Sequence, residues 1–286
     1  MSSRIEQAAR ILASARLQLT RLPGLPGAVR PADEPEAYAV QEALHRRLTA
    51  TGWGEVAGHK IGCTTPVMQA FLRIPNPCAG GVFAPTVASG TGLFQHDHYC
   101  HVGVECEIAV RLGADLPPRA APYDRAAGAP AVDAVMAAIE VVDDRWTDYR
   151  AVDTPTLIAD DFFGAGCVLG EPVADWRRLD LTGIGGVMAM NGEVAGRGHG
   201  RDILGHPLEA LAWLANSRAA RGRGLRAGEL VLLGSLVATR WIWGAATRPR
   251  SRSRAWAAPP RASRDPRGAA RVASPVWRLT THHALP

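Results

Sequence analysis

Lysine is almost absent from this chain: Lys60 stands alone against 31 arginines in 286 residues. The five cysteines (Cys63, Cys78, Cys100, Cys106 and Cys167) form no Cys-x-x-Cys pair. That excludes the common zinc-ribbon and thioredoxin-type patterns and leaves an odd set of reduced thiols, as expected of a cytoplasmic protein. No apolar run approaches the roughly 20 residues of a membrane span. Met1 to Leu22 lacks the apolar stretch of a signal peptide. Neither membrane insertion nor secretion is expected. Acidic residues are scarce only at the end, where residues 244–286 hold nine arginines against Asp265 alone. The formal charge of +5 therefore belongs to the tail, since residues 1–243 carry 23 basic and 26 acidic side chains. The body is mildly acidic, and no nucleic-acid partner is expected for it.

The tail, residues 244–286, also lacks any strand or helix period and is dominated by Ala, Arg, Pro, Ser and Trp. Its polarity suits a solvated segment; its tryptophans do not. Residues 246–256 read Ala-Thr-Arg-Pro-Arg-Ser-Arg-Ser-Arg-Ala-Trp. One permitted codon set, read one base earlier behind a G, encodes Gly-Asp-Ala-Ala-Thr-Val-Glu-Ile-Glu-Gly-Leu, an ordinary turn and alternating strand. A reading-frame slip in a GC-rich gene accounts for the change of texture. An in-frame read of the gene through this tail would exclude it.

The spacing of Ile5, Ala8, Ala9 and Leu12, continued by Leu19, predicts a first helix. A Pro/Gly-rich connector from Pro23 to Pro31 precedes a second, starting near Pro35 with Ala37, Val40, Leu44 and Leu48 on its apolar face. From about Gly58 short apolar runs broken by Gly, Pro and Asn predict strands over His59–Ile61, Glu105–Arg111, Ala138–Val142, Gly166–Leu169, Gly185–Met190, Glu193–Ala195 and Glu229–Leu233. Asn191-Gly192 signals a hairpin turn. One further helix starts at Pro207, buries Leu208, Leu211, Ala212 and Leu214, and ends before Gly222 or Gly224. Strands with sparse helices and no βαβ rhythm indicate an α+β chain with a mixed sheet or roll. The expected divisions are a helical region over 1–55, a β-rich domain over 56–243 and an irregular tail over 244–286.

Glu105-Cys106-Glu107 lies inside the apolar run 104–110. Alternation puts both glutamates on one face of a strand, their Cα atoms roughly 6.5–7 Å apart. Two like charges that close and poorly solvated need a proton or a cation between them. Glu140, in the apolar strand 137–142, would complete an oxygen-rich site for Mg²⁺ or Mn²⁺. By spacing alone Asp143 or Asp144 could take its place, or could cap the strand in solvent. Lys60, in Gly58-His-Lys-Ile-Gly-Cys-Thr-Thr, marks a position where an ammonium serves and a guanidinium does not, because lysine can be tuned to carry a proton. His96-Asp-His-Tyr-Cys-His101 fits no common zinc spacing and is read as a loop. Gly196-Arg-Gly-His-Gly200 lacks the Lys-Ser/Thr of a phosphate loop, and Cys63 is read as a packing residue.

Seven collinear segments between about residues 35 and 242 resemble the 2-keto-4-pentenoate hydratase branch of the fumarylacetoacetate hydrolase superfamily. They are Gly58-His-Lys-Ile-Gly-Cys-Thr-Thr-Pro, Gly103-Val-Glu-Cys-Glu-Ile-Ala-Val, Ala138-Ile-Glu-Val-Val-Asp-Asp-Arg, Ile158-Ala-Asp-Asp, Asn191-Gly-Glu-Val, Leu204-Gly-His-Pro-Leu-Glu-Ala-Leu-Ala-Trp-Leu-Ala and Ala227-Gly-Glu-Leu-Val-Leu-Leu-Gly-Ser. The resemblance implies a small helical region and a mixed β-roll with a Mg²⁺ or Mn²⁺ site. The family's Glu-x-Glu pair falls on Glu105 and Glu107, its third ligand on Glu140 and its active-site lysine on Lys60. Asp161 and Ser235 match positions near the substrate pocket. Many members carry an acidic residue before the glycine of the loop that here reads Pro77-Cys-Ala-Gly-Gly-Val-Phe83, and this chain has none there.

The implied activity is metal-dependent hydration of a 2-hydroxy-2,4-dienoate, or its 2-oxo tautomer, to a 4-hydroxy-2-oxo acid in aromatic-compound catabolism. Decarboxylation of a 4-oxalocrotonate type of acid and C–C hydrolysis share the same enolate chemistry. The family resemblance also implies a homo-oligomer. An inactive homologue, with strands beyond Ile242 lost, is the expectation from a different class.

Overall fold

The computed structural model describes residues 3–242 and, as backbone, 269–272. Two helices, α1 (Ser3–Leu17) and α2 (Glu34–Ala50), open the chain. Asp33 caps α2 by accepting from the Glu36 N–H at 2.9 Å, and Pro35 occupies its first turn; such a cap contributes about 1 kcal/mol. The predicted apolar faces are the buried ones, Ala8, Ala9 and Leu12 joining Ala37, Val40, Leu44 and Leu48 in one core.

The rest runs β1 (Val56–Gly62), α3 (Pro66–Leu72), β2 (Cys78–Phe83), β3 (Val87–Ser89), β4 (Gly92–Gln95), β5 (Val102–Leu112), α4 (Arg125–Gly128), β6 (Val132–Asp143), α5 (Thr154–Ala159), β7 (Gly164–Leu169), β8 (Gly185–Met190), β9 (Glu193–His199), α6 (Pro207–Ala219), β10 (Leu230–Trp241) and β11 (Ala269–Val272). Seven strands form one mixed sheet in the order β2-β1-β10-β5-β6-β7-β3. β1 with β10 and β3 with β7 are parallel; the other pairs are antiparallel. The α+β expectation holds, and the sheet is curled.

Alternation gives β5 and β6 two faces. Val104, Cys106, Ile108 and Val110, with Val135 and Ile139, join the main core together with Leu208, Leu211 and Leu214 of α6. The opposite face carries Ala109, Met136 and Ala138 in a smaller apolar cluster with Val82, Cys167, Leu169 and Leu232. Glu105, Glu107 and Glu140 share that second face by register.

All seven predicted strands are present, most of them longer than the pattern showed. The pattern did not show β2, whose Gly80 and Gly81 break its apolar alternation. A Cβ on Gly80 would lie 2.4 Å from the Asp161 carbonyl, and one on Gly81 2.6 Å from the His45 ring. β2 is thus a strand because its neighbours come too close for side chains. In the tail, residues 269–272 pair antiparallel with β4; residues 243–268 and 273–286, which include the segment of the proposed frame slip, lie outside the described residues. Among the described residues no helix is long and apolar enough to cross a membrane.

Candidate active site

The register of β5 and β6 sets Glu105 opposite Glu140 and Glu107 opposite Ala138. On the other side of β5, Ser235 of β10 faces Glu107. The β10–β5 pairing slips between Leu232 and Ser235 and again before Val237. Such irregularities re-aim strand groups beside functional sites, and here the Gly234 N–H donates to Glu107 Oε2 at 3.2 Å. Thr239 Oγ1 donates to Glu105 Oε1. One oxygen from each of Glu105, Glu107 and Glu140 lies within 4.8 Å of the others, the one such grouping of His, Cys, Asp or Glu among the described residues. Lys60 comes from β1, beyond β10, and its Nζ stands 3.1 Å from Glu140 Oε1.

Glu107, Glu140 and Lys60 are at most 3% exposed. Burial raises the Glu107 carboxyl well above the usual range, and Glu140 and Glu105 push the same way. Glu140 is raised to about 7, because burial outweighs the nearby ammonium. Burial pulls Lys60 down, but the three carboxylates overcome it and hold its pKa above the ordinary lysine value. Neither oxygen of Glu140 accepts a backbone N–H; the ammonium of Lys60 and the carboxyl of Glu107 are its polar neighbours. Three carboxyl groups face one ammonium, and the raised proton affinity of Glu107 and Glu140 marks oxygen lone pairs in want of a positive partner. That donor set fits a hard divalent cation.

Asp143 and Asp144 lie apart from the cluster and, contrary to the solvent-cap expectation, are buried at 4% and 3% exposure. Asp143 Oδ1 accepts from the His101 N–H at 2.7 Å, and Asp144 pairs with Arg21. Asp161 is fully buried, its carboxylate spent on the Gly81 N–H at 2.8 Å, His45 Nε2 at 2.6 Å and Arg16 Nη1 at 2.9 Å. The Arg16 and His45 partners and the Gly81 amide hold it well below the usual carboxylate range despite its burial. Ser235 Oγ donates to the Val237 carbonyl of its own strand. His96–His98 form a short turn of partly exposed or exposed residues. Gly196–His199 lie in the β8–β9 hairpin, and Cys63 is a buried thiol 4.0 Å from Cys78. Sequence reasoning missed Arg16, His45, Arg145, Asp160 and Phe162, all of which pack around Asp161 or Lys60. Only the acidic pair Asp160-Asp161 inside an apolar stretch could have signalled them.

The fumarylacetoacetate (FAA) hydrolase C-terminal family model matches residues 81–262. The 2-keto-4-pentenoate hydratase of Paraburkholderia phymatum is 35% identical over 236 residues, 82% of this chain and 88% of that protein. The chain belongs to the fumarylacetoacetate hydrolase family. Within it, the 2-keto-4-pentenoate hydratase of Burkholderia vietnamiensis is 39% identical over 71% of this chain and 76% of that one. The solved 4-oxalocrotonate decarboxylase of Pseudomonas putida G7, complexed with magnesium and adipate, superposes with a TM-score of 0.78 at 27% identity, covering 84% of this chain and 89% of that one. The family match spans Glu105, Glu107, Glu140 and all of β10, and it reaches into the tail.

Proposed function

We propose that the chain is a divalent-metal-dependent hydratase that converts a 2-hydroxy-2,4-dienoate into a 4-hydroxy-2-oxo acid. The observation that carries this reading is Lys60, buried 3.1 Å from Glu140 at the edge of a three-carboxylate cluster, in a chain 35–39% identical to hydratases of that class. Glu105, Glu107 and Glu140 would hold Mg²⁺ or Mn²⁺. A cation there supplies Lewis-acid stabilisation of negative charge on a chelating 2-oxo acid.

Lys60 carries the proton. In the tautomerisation the substrate loses its C2 hydroxyl proton and gains one at C5, which leaves a C3–C4 double bond conjugate to the C2 ketone. The Lys60 ammonium donates at C5, and the amine it leaves takes up the C2 hydroxyl proton, so the lysine ends the step as it began. Water then adds at C4, with a proton to C3. Gly234 fixes the Glu107 carboxylate through its N–H, and Ser235 lies across from the same residue. Asp161 acts through the backbone of β2 and not as a free acid at the reacting carbon.

The test is loss of dienol absorbance from 2-hydroxypenta-2,4-dienoate by the purified full chain, with Mg²⁺ or with EDTA. Metal-dependent loss with formation of 4-hydroxy-2-oxopentanoate is expected. The likeness to the decarboxylase structure favours one second reading, so 4-oxalocrotonate is run in parallel. Carbon dioxide release from it, with the dienoate left untouched, would replace the hydratase reading.

A further inference from the structure

Asp161, Phe162 and Phe163 are three consecutive non-glycine residues with left-handed backbone, φ +56°, +47° and +69°. Each such residue costs on the order of 1 kcal/mol or more. Three in a row do not arise from local preference, so the surroundings must impose them. The imposing groups are buried and charged. The Asp160 carboxylate lies between Arg16 Nε and Arg145 Nε, each at 2.7 Å. Arg145 also donates to the Asp160 carbonyl at 2.9 Å and the Gly164 carbonyl at 3.3 Å, closing the turn from both ends. Asp161 is tied to Arg16, His45 and the Gly81 amide.

What this clamp delivers is the Phe162 ring. Its centroid lies 5.2 Å from Lys60 Nζ, within cation–π range. The ring reaches that place because residue 62 is glycine: a Cβ there would lie 2.7 Å from Phe162 Cδ1. At the far end of the turn a Cβ on Gly164 would meet the Asp161 carbonyl oxygen at 3.1 Å, so glycine there lets the turn close tightly. Phe163 meets the Phe162 ring edge-on at 5.3 Å, and Tyr149 meets Phe163 at 5.5 Å. Phe162 itself is 6% exposed.

We propose that Phe162 is a positioning residue for Lys60: its ring caps the ammonium, excludes water from it and holds it against Glu140, and the clamped left-handed turn exists to place that ring. This rests on the reading of Lys60 as the proton carrier. No other lysine is present, so isotope-labelled lysine gives a single side-chain Hε/Cε signal that reports this contact without substrate. In the metal-loaded wild type that signal is expected upfield, in the ring current of Phe162. Phe162→Leu should return it to the ordinary lysine position and lower kcat about tenfold, the scale of a desolvated cation–π contact, with KM within about twofold. Phe162→Tyr, which keeps the π face, should restore both.

Should Phe162→Leu fail to fold, Gly62→Ala displaces the ring from its other side and is expected to shift the signal and lower kcat alike. An ordinary lysine signal in the wild type overturns the cap. So does equal behaviour of the Leu and Tyr variants, or a kcat untouched by both Phe162→Leu and Gly62→Ala. An upfield signal in a protein that turns over no dienoate refutes the assigned reaction and leaves the cap standing.

Discussion

Glu107 accepts one backbone N–H, from Gly234, and otherwise faces two more carboxylates. Glu107→Gln removes a ligand charge, so calorimetry should find Mg²⁺ binding lost, and turnover should fall roughly 100-fold or more, the scale of several kcal/mol of Lewis-acid stabilisation. Lys60→Met should leave Mg²⁺ binding in place while tautomerisation drops about 100-fold or more; undiminished dienol loss would free the lysine of its role. Glu140, raised to about 7 in the metal-free protein, fixes the sign of a pH effect. The unfolded chain ionises it near 4.5 while the fold keeps its proton, so its contribution to metal-free stability falls as pH rises from about 4.5 to 7. A cation reverses that loss, and the gap between Mg²⁺-loaded and EDTA-treated melting temperatures should widen over that interval. A gap independent of pH would exclude Glu140 as a ligand. The three glutamates and Lys60 were legible because charge inside an apolar run, and a lone lysine among arginines, break a pattern. Phe162 was not, since an aromatic in an apolar stretch is what any core contains and left-handed backbone leaves no mark where glycine is absent.

At the scale of elements, the clamp joins α1 to the turn before β7 through Arg16, Asp160 and Arg145. Arg16→Leu strips a cation from two buried carboxylates, a loss of about 3–5 kcal/mol and roughly 10 °C in Tm. A change under about 2 °C would mean the clamp carries no stability. Asp161 adds an acid limb: its pKa is held below its unfolded value of 3.8, so its stabilisation is present above that pH and is lost as pH falls further. Short apolar runs broken by Gly, Pro and Asn made β1, β5, β6, β7, β8, β9 and β10 readable, and proline at a first turn marked α2 and α6. The seven-residue α3 buries none of its side chains, and β3 has three residues; segments that short carry too little pattern to read. Their places are set by what packs around them.

For the molecule as a whole, α+β class and family were readable from seven collinear segments, while strand order was not. β10, the last strand of the sheet in chain order, lies in its middle between β1 and β5. Before residues 230–241 insert, β1 with Lys60 and the β5–β6 hairpin with its three glutamates belong to two separate partial sheets, each with a bare edge. The hairpin can close by itself early, since its pairing is local; β1 with β10 is a contact across most of the chain and is slow to form. The carboxylate strands can therefore pair before β10 joins them to the strand that carries Lys60, and the sheet around the site is complete only once β10 is in place.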